Sequence, residues 1–190
     1  MKILAALALL AVAGCATTPA ASRDFFTDLS SLCGKSFAGR ITSPPAPADA
    51  DFAGKAMVMQ VRECSADTIR VPFHVADDYS RTWVITRIAS GLRLKHDHRH
   101  KDGSEDKVTQ YGGDSVTPVS AARQEFPADQ FTKNLLIREG NTAGANNVWA
   151  VEVIPGRTFA YELRRPGRFF RVEFDLTRPV PTPPAPRGSR

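Results

Sequence analysis

Alternating apolar and polar residues are the feature that most constrains how this chain can fold. Phe170, Val172 and Phe174, for example, are separated by single charged residues. An alternation with period two is typical of β-strands that bury one face and expose the other. The pattern recurs in about ten segments, at residues 36–42, 56–63, 68–75, 81–87, 91–99, 107–112, 121–126, 148–154, 158–164 and 168–177. We therefore predict an all-β protein built of antiparallel strands.

Short turn signals separate these segments. Asp102-Gly103, Pro155-Gly156 and Pro166-Gly167 are residue pairs that favour tight turns between neighbouring strands. A sheet of about ten antiparallel strands usually curls, and closure into a barrel removes its exposed edges. We expect a meander that closes into a β-barrel, with a β-sandwich or an open curved sheet as the alternatives.

Two short helices are predicted to interrupt the strands. Asp24 can cap a helix over residues 25–33, where apolar residues recur on one side. Pro127-Ala128-Asp129 can open a second helix that carries Phe131 and Leu135 on one side. The predicted order is thus an N-terminal helix, a run of hairpin-linked strands, and one helix inserted late.

The amino terminus has the pattern of an export signal. Lys2 supplies a positive charge, and an unbroken apolar run follows from Ile3 to Val12. Such a run is too short to span a membrane, which takes about 20 apolar residues. The run ends in Val12-Ala13-Gly14-Cys15, which resembles the lipobox of bacterial lipoproteins. The resemblance implies that residues 1–14 are removed and that Cys15 carries fatty-acyl chains such as palmitate; an ordinary signal with a chance cysteine is the alternative.

The lipid anchor would decide where the protein works. One acyl chain binds a membrane reversibly, whereas the several chains of a lipoprotein anchor hold it permanently. Because Ala16 and not Asp follows Cys15, the resemblance implies transport to the outer membrane, with the domain in the periplasm. Residues 15–23 are small, polar and interrupted by Pro, so they are predicted to form the lipidated tether of a barrel domain at residues 24–177. Nucleic acid is not an expected partner in this compartment.

Two cysteines remain once Cys15 is assigned to lipid. Cys33 and Cys64 form an even number in an oxidising compartment, and we expect them to pair. The bridge would close a loop of about 30 residues and stabilise the fold by roughly 3 kcal/mol in the chain-entropy model. The alternative is a reactive thiol, which would need an activating base nearby.

The predicted order of elements resembles the calycin barrels of lipocalins and fatty-acid-binding proteins over residues 24–177. Gly34-Lys35-Ser36-Phe37 stands where those proteins carry Gly-x-Trp. Through Arg81-Thr82-Trp83 and the stretch from His96 to Gly113, the domain also resembles a family of proteobacterial lipoproteins without an assigned activity. The calycin resemblance implies a barrel interior that can hold a small molecule.

Three of the four histidines lie close together at His96, His98 and His100. On a strand all three share one face, the face of Leu94. Residues two apart on a strand rise by about 6.6 Å, so two imidazoles can share a metal ion but three cannot without a bend. His96 and His98, with His100 or His74, are therefore candidate ligands of a divalent metal such as zinc. A hydrogen-bonding role toward a bound molecule and a plain solvated strand are the alternatives.

Two aromatic residues are further candidates for ligand contact. Trp83 lies on the apolar side of its strand. Tyr111 precedes two glycines that can form a barrel corner or bulge, or can let the backbone approach a ligand or a neighbouring strand. The chain contains no nucleophile elbow and no phosphate-binding loop, and no Ser or Cys stands at a recognisable spacing from a base. The sequence therefore supports no catalytic residue.

The carboxyl terminus is rich in proline. Residues 178–190 are predicted to be a disordered tail in the polyproline II conformation, or else a docking segment for an envelope protein.

These patterns favour a non-enzymatic envelope lipoprotein without a cofactor. Its barrel would bind a small apolar or amphipathic ligand or have a structural role in the envelope. The alternative is a metal-binding protein or metal-dependent hydrolase centred on His96, His98 and His100.

Overall fold

The computed structural model describes residues 24–116 and 120–189. The predicted signal peptide, Cys15 and the tether lie outside these residues. The described chain contains two α-helices, α1 (Phe25–Ser30) and α2 (Gln130–Arg138), and short 3-10 turns at Pro47–Asp49 and Thr142–Asn146. Its strands are β1 (Ser36–Ile41), β2 (Met57–Gln60), β3 (Glu63–Cys64), β4 (Thr68–Val75), β5 (Asp78–Ile88), β6 (Gly91–His98), β7 (Tyr111–Asp114), β8 (Arg123–Pro127), β9 (Val148–Ile154), β10 (Thr158–Arg165) and β11 (Arg168–Val180). Neither α-helix has the length and apolar character that crossing a membrane requires.

The strands form one antiparallel sheet that nearly closes into a barrel. Their order is β7-β6-β5-β4-β2-β1-β11-β10-β9-β8. The short strand β3 lies outside this order and pairs with β4. The remaining seam lies between β7 and β8. There the backbone N–H of Asp129 donates to the carbonyl oxygen of Gly112 at 3.0 Å, and that of Val116 donates to Glu125 at 3.2 Å. The predicted all-β barrel of antiparallel strands is confirmed.

Two glycines allow β7 to approach both of its neighbours, β6 and β8. A Cβ atom added at Gly112 would lie 1.9 Å from the carbonyl oxygen of Leu94, and one added at Gly113 would lie 1.8 Å from that of Pro127. Either distance is far below van der Waals contact, so any side chain at these positions would push β7 away from its neighbours. These glycines therefore serve the close approach of neighbouring strands.

The inward faces of the strands form the hydrophobic core. Met59, Ile69, Ile85 and Leu94 are fully buried there, as are the larger side chains of Trp83, Trp149, Phe159 and Phe174. The alternation predicted this face because successive side chains of a strand point to opposite sides of the sheet.

Helix α1 covers one end of the barrel, which we call the helix end. The Asp24 side chain caps α1 by accepting a hydrogen bond from the Thr27 N–H at 2.7 Å. Phe25, Phe26 and Leu29 face inward and belong to the barrel core. The helix ends at Ser30, three residues before the predicted boundary, and a hydrogen-bonded turn follows.

A disulfide fastens this end of the barrel. Cys33, just after α1, is bonded to Cys64 of β3 with an S–S distance of 2.03 Å. The predicted pairing is therefore confirmed, and the reactive-thiol alternative is wrong. Because β3 pairs with β4, the bridge links the segment that follows α1 to the wall of the barrel.

Helix α2 lies against the seam. The Thr132 hydroxyl accepts a hydrogen bond from the Gly112 N–H at 2.7 Å and donates to the Gly112 carbonyl at 2.8 Å. Thr132 and Leu135 are therefore buried, whereas Phe131 is 55% exposed. The prediction that Phe131 and Leu135 share the packed side is wrong for Phe131, because the hydrogen bonds of Thr132 set the rotation of the helix.

The C-terminal segment packs on the outside of the barrel. Residues 178–180 continue β11, and we call residues 181–189 the C-terminal strap. The Arg187 N–H donates to the Tyr79 carbonyl at 3.0 Å, and its guanidinium lies 3.4 Å from a carboxylate oxygen of Asp78. Pro186 is buried. The strap thus differs from the predicted disordered tail, because these contacts hold an already extended proline-rich segment against the sheet.

Candidate functional site

A cavity of about 120 Å³ lies inside the barrel at the end remote from α1, which we call the cavity end. Strand β6 runs between the two ends, with Leu92 beside α1 and His98 at the cavity. Larger hollows of about 390 and 450 Å³ lie on the barrel surface and are more open to solvent. Aromatic side chains form most of the cavity wall, namely Phe52, Phe73, Trp83, Tyr111, Tyr161 and Phe170.

Strand register brings one wall of the cavity together. Trp83 of β5 is paired with His96 of β6, and His96 with Tyr111 of β7. One step toward the cavity end, Arg81 is paired with His98. Directly opposite residues on one face have Cβ atoms about 4.5–5.5 Å apart, so these side chains contact one another. The His96 and Tyr111 rings are stacked, with centroids 4.4 Å apart.

His96 is buried and uses both ring nitrogens. Its Nδ1 lies 3.0 Å from the carbonyl oxygen of Tyr111, and its Nε2 lies 2.8 Å from the hydroxyl oxygen of Tyr161. A carbonyl oxygen only accepts, so Nδ1 carries the proton and Nε2 accepts from the Tyr161 hydroxyl. Burial lowers the pKa of His96 to about 3, although the hydrogen bond to Tyr111 opposes the shift. His96 is therefore neutral at pH 7, and neither nitrogen is available to a metal ion.

His98 and Tyr111 form a second polar pair in the cavity wall. The Tyr111 hydroxyl oxygen lies 3.1 Å from Nε2 of His98. Burial, and after it the positive charge of Arg81, lowers the pKa of His98 to about 4. Burial also raises the pKa of the Tyr111 and Tyr161 hydroxyls well above the ordinary value. These histidine and tyrosine side chains thus present uncharged hydrogen-bonding groups at pH 7.

Two arginines complete the lining. Arg81 forms an ion pair with Asp78, and Arg168 forms one with Asp49. The Arg81 guanidinium carbon lies 5.3 Å from the ring centroid of Phe52, within the range of a cation–π contact. Guanidinium groups therefore line the cavity, whereas both of their carboxylate partners lie outside its lining.

The structure does not bring together the predicted metal ligands. Strand β6 ends at His98, so His100 lies in the following loop, where it is exposed and 3.8 Å from Asp106. His74 lies on the outer face of β4 with its ring against Tyr79, and burial lowers its pKa to about 4. Across residues 24–116 and 120–189, no three His, Cys, Asp or Glu side chains are placed to hold a metal ion.

Four of the five predicted ligand-contact residues line the cavity. These are Trp83, His96, His98 and Tyr111, and the fifth, His100, does not reach it. Sequence reasoning missed Arg81, Phe52, Phe73, Tyr161, Leu163, Arg168 and Phe170 as lining residues.

A signal for every missed residue except Phe52 was present in the alternation, and Arg81 and Tyr161 illustrate it. Arg81 precedes Trp83 by two residues and Tyr161 follows Phe159 by two, so each pair shares an inward face. An arginine on an otherwise apolar inward face is the unusual feature, because charged side chains are rarely buried unless they are paired.

The cavity lining combines apolar and polar groups. Within the described part of the chain, it contains no carboxylate, serine or cysteine side chain. Aromatic faces, neutral hydrogen-bonding groups and guanidinium donors remain for contact with a small molecule.

Comparison with known proteins does not identify a family. No protein-family model matches the chain, and neither a curated protein nor a solved structure shows significant similarity to it. Membership of a lipoprotein or calycin family stays a prediction, so the geometry of the cavity carries the functional argument.

Proposed function

We propose that this protein is a lipid-anchored protein of the bacterial envelope whose barrel binds a small apolar or amphipathic molecule in the cavity. The supporting observation is an aromatic cavity in a barrel whose interior is otherwise filled by side chains such as Met59 and Phe159. Its volume of about 120 Å³ is below the roughly 300–1,000 Å³ of drug-sized sites. It approaches the roughly 150 Å³ that accommodates benzene or xenon. The ligand is thus about one ring in size.

The lining favours a ligand with an apolar body and one polar end. Phe73 and Trp83 are stacked with ring centroids 4.8 Å apart and offer a flat apolar surface. His98 and Tyr111 offer neutral hydrogen-bonding groups on another part of the wall. A few fixed polar groups in an aromatic cavity are typical of small-molecule sites.

The proposed anchor suits this arrangement. Lipidated Cys15 would approach the barrel from the helix end, because α1 begins at Phe25. Residues 15–23 could extend at most about 30 Å, at roughly 3.3–3.6 Å per residue. The cavity end then faces away from the bilayer, toward molecules dissolved in the periplasm. The membrane is the expected partner through the lipid.

Metabolic labelling tests the anchor. We expect radioactive palmitate to enter the wild-type protein, and Cys15→Ala to abolish both the label and outer-membrane sedimentation. Ala16→Ser is the control and retains both. Unchanged labelling of the Cys15→Ala variant would contradict the proposed anchor.

Nuclear magnetic resonance titration tests the cavity. The mature chain with Cys15→Ser, which lacks the lipid, is titrated with toluene and benzyl alcohol. We expect saturable shifts of amide signals from β5, β6 and β10. Leu163→Phe, which fills the cavity, should abolish them, whereas the equally enlarging Ile137→Phe on the exposed side of α2 should not. Failure of both probes to bind the unfilled cavity would favour a structural role in the envelope.

A further inference from the structure

The distribution of charge in the cavity indicates the chemical class of its ligand. Arg81 and Arg168 contribute guanidinium groups to the lining, and no carboxylate among the described residues does so. Asp78 and Asp49 bind these guanidiniums from outside the lining. In each ion pair, therefore, the arginine lines the cavity and the aspartate does not.

Arg81 retains donors for a ligand. A guanidinium has five N–H groups. Within the described chain, Arg81 donates one side-chain hydrogen bond, from Nη1 to Asp78. Its charge acts across the cavity, since it lowers the pKa of His98 and also that of Tyr111 and Tyr161 against the larger effect of burial. These three side chains project from β6, β7 and β10, so the field of Arg81 extends over the interior.

Arg168 approaches from the opposite wall. It opens β11 and is mostly buried, with Nη2 bonded to Asp49 and Nη1 donating to the Phe169 carbonyl at 3.0 Å. Its guanidinium carbon lies 5.6 Å from the ring centroid of Phe170, which itself lines the cavity. A positive group thus borders the apolar wall on this side as it does at Arg81.

We propose that the cavity binds a ring-bearing monoanion, with its ring among the aromatic side chains and its anionic group at Arg81 and Arg168. This inference rests on the proposed function, because it requires that the cavity binds a small molecule. Arginine suits the task, since its planar fork donates paired hydrogen bonds to a carboxylate.

Hydrogen bonding inside the cavity can offset the cost of burying the charge. A desolvated anion is costly unless it is paired and hydrogen-bonded. The Arg81 guanidinium supplies the pairing, and the hydrogen-bonded pair of Tyr111 and His98 lies uncharged in the same lining. A neutral molecule of the same shape would bind the ring surface but offer no charge to the Arg81 N–H groups that do not bond Asp78.

The test compares benzoate with benzyl alcohol, which matches it in size but carries no charge. Both are titrated at pH 7 into the mature chain with Cys15→Ser, and amide shifts give the dissociation constants. We expect benzoate to bind at least about tenfold more tightly, as charge-assisted hydrogen bonds are roughly twice as strong as neutral ones. Arg81→Gln and Arg168→Gln should each remove most of this preference, while Arg81→Lys retains part of it. Arg138→Gln on the exposed surface of α2 is the control and keeps the full preference.

The outcomes separate this inference from the function on which it rests. Equal binding of both probes, abolished by Leu163→Phe, would overturn the anionic class and leave small-molecule binding intact. Binding of neither probe at millimolar concentration would overturn both. A benzoate preference that survives both Arg→Gln substitutions in folded protein, as judged by unchanged amide spectra, would also overturn the inference.

Discussion

The helix end and the cavity end of the barrel are closed by different means. At the helix end, α1 inserts Phe25, Phe26 and Leu29 into the core, and the Cys33–Cys64 disulfide fixes the chain beyond the helix. At the cavity end, single side chains from several strands and loops meet around unfilled space. Side-chain packing and a covalent bond stabilise the helix end. The cavity end holds polar side chains around a cavity and is packed less tightly.

The helix and disulfide that stabilise the fold and the cavity proposed to bind a ligand therefore lie at opposite ends of one barrel. A well-packed interior has few voids larger than a water molecule, because each void forfeits dispersion contacts. The cavity end departs from that rule and also holds the buried histidines His96 and His98. Perturbations of the two ends should accordingly have different consequences, which the following predictions test.

Acidification should have the largest effect, and it should act mainly at the cavity end. The pKa values of His96 and His98 are lowered to about 3 and about 4, and that of His74 on the outer face of β4 is also lowered to about 4, so between pH 6.5 and those values the unfolded chain binds protons that the folded chain does not. Stability therefore falls as pH falls, by about 1.6 kcal/mol for each histidine between pH 6.5 and 5. His96 and His98 together account for about 3 kcal/mol of the loss, and His74 adds about 1.6 kcal/mol. Urea unfolding at the two pH values measures the loss.

Matched variants locate this pH effect. His98→Gln should reduce the loss by about 1.6 kcal/mol, because it removes one titrating group. His100→Gln changes an exposed histidine two residues away and should leave the loss unchanged. An equal loss in wild-type and His98→Gln proteins would argue against a buried neutral His98.

Removal of the disulfide should have the next largest effect, at the helix end. In the chain-entropy model, the bridge across 31 residues stabilises the fold by about 3–4 kcal/mol. Cys33→Ala/Cys64→Ala should lower the free energy of unfolding by that amount in a urea titration. Probe binding at the cavity end should remain within error of wild type in protein that is still folded. A parallel loss of binding would show that the two ends are coupled.

Tyr161→Phe should have a smaller effect, at the cavity end. It leaves the buried Nε2 of His96 without its hydroxyl donor, and an unsatisfied buried acceptor costs about 1–3 kcal/mol. Urea unfolding measures that loss, and ¹⁵N shifts of the His96 ring should retain the Nδ1-protonated tautomer. Wild-type stability in this variant would contradict the assigned hydrogen bond.

Asp24→Ala should have the smallest effect, at the helix end. It removes the side-chain cap of α1, and loss of such a cap costs about 1 kcal/mol. Asp51→Ala, at another exposed aspartate, is the control and should be nearly neutral. Hydrogen exchange of the α1 amides should increase only in the Asp24 variant.

Much of the barrel could be predicted from local sequence, but its closure could not. The alternation located β4 at residues 68–75 and β9 at 148–154 with the bounds that the structure has. It misplaced β7, predicted over residues 107–112 but observed over Tyr111–Asp114, because residues 99–110 mostly form a loop. Strand seams and loop paths depend on distant contacts, such as that between Gly113 and Pro127.

The candidate site could likewise be predicted only in part from the sequence. Alternation alone puts Trp83, His96 and His98 on inward faces, because side chains of a strand alternate between its two sides. The inward directions of Arg81 and Tyr161 could have been inferred by extending the same period. The inward direction of Arg168 follows in the same way, because Arg168 precedes Phe170 by two residues. Phe52, in contrast, reaches the cavity from the β1–β2 connection, and local pattern does not specify which elements meet.

The sequence by itself determined that this chain forms strands with one apolar face, that Cys33 and Cys64 were available to pair, and that charged and histidine side chains stand on that face. Those properties depend on residue type and on spacing within a single strand. Only the tertiary structure decided that α1 fills one end of the barrel and that a cavity remains at the other. The volume and charge inside a barrel depend on which side chains from different strands contact one another. Strand order and register determine those contacts.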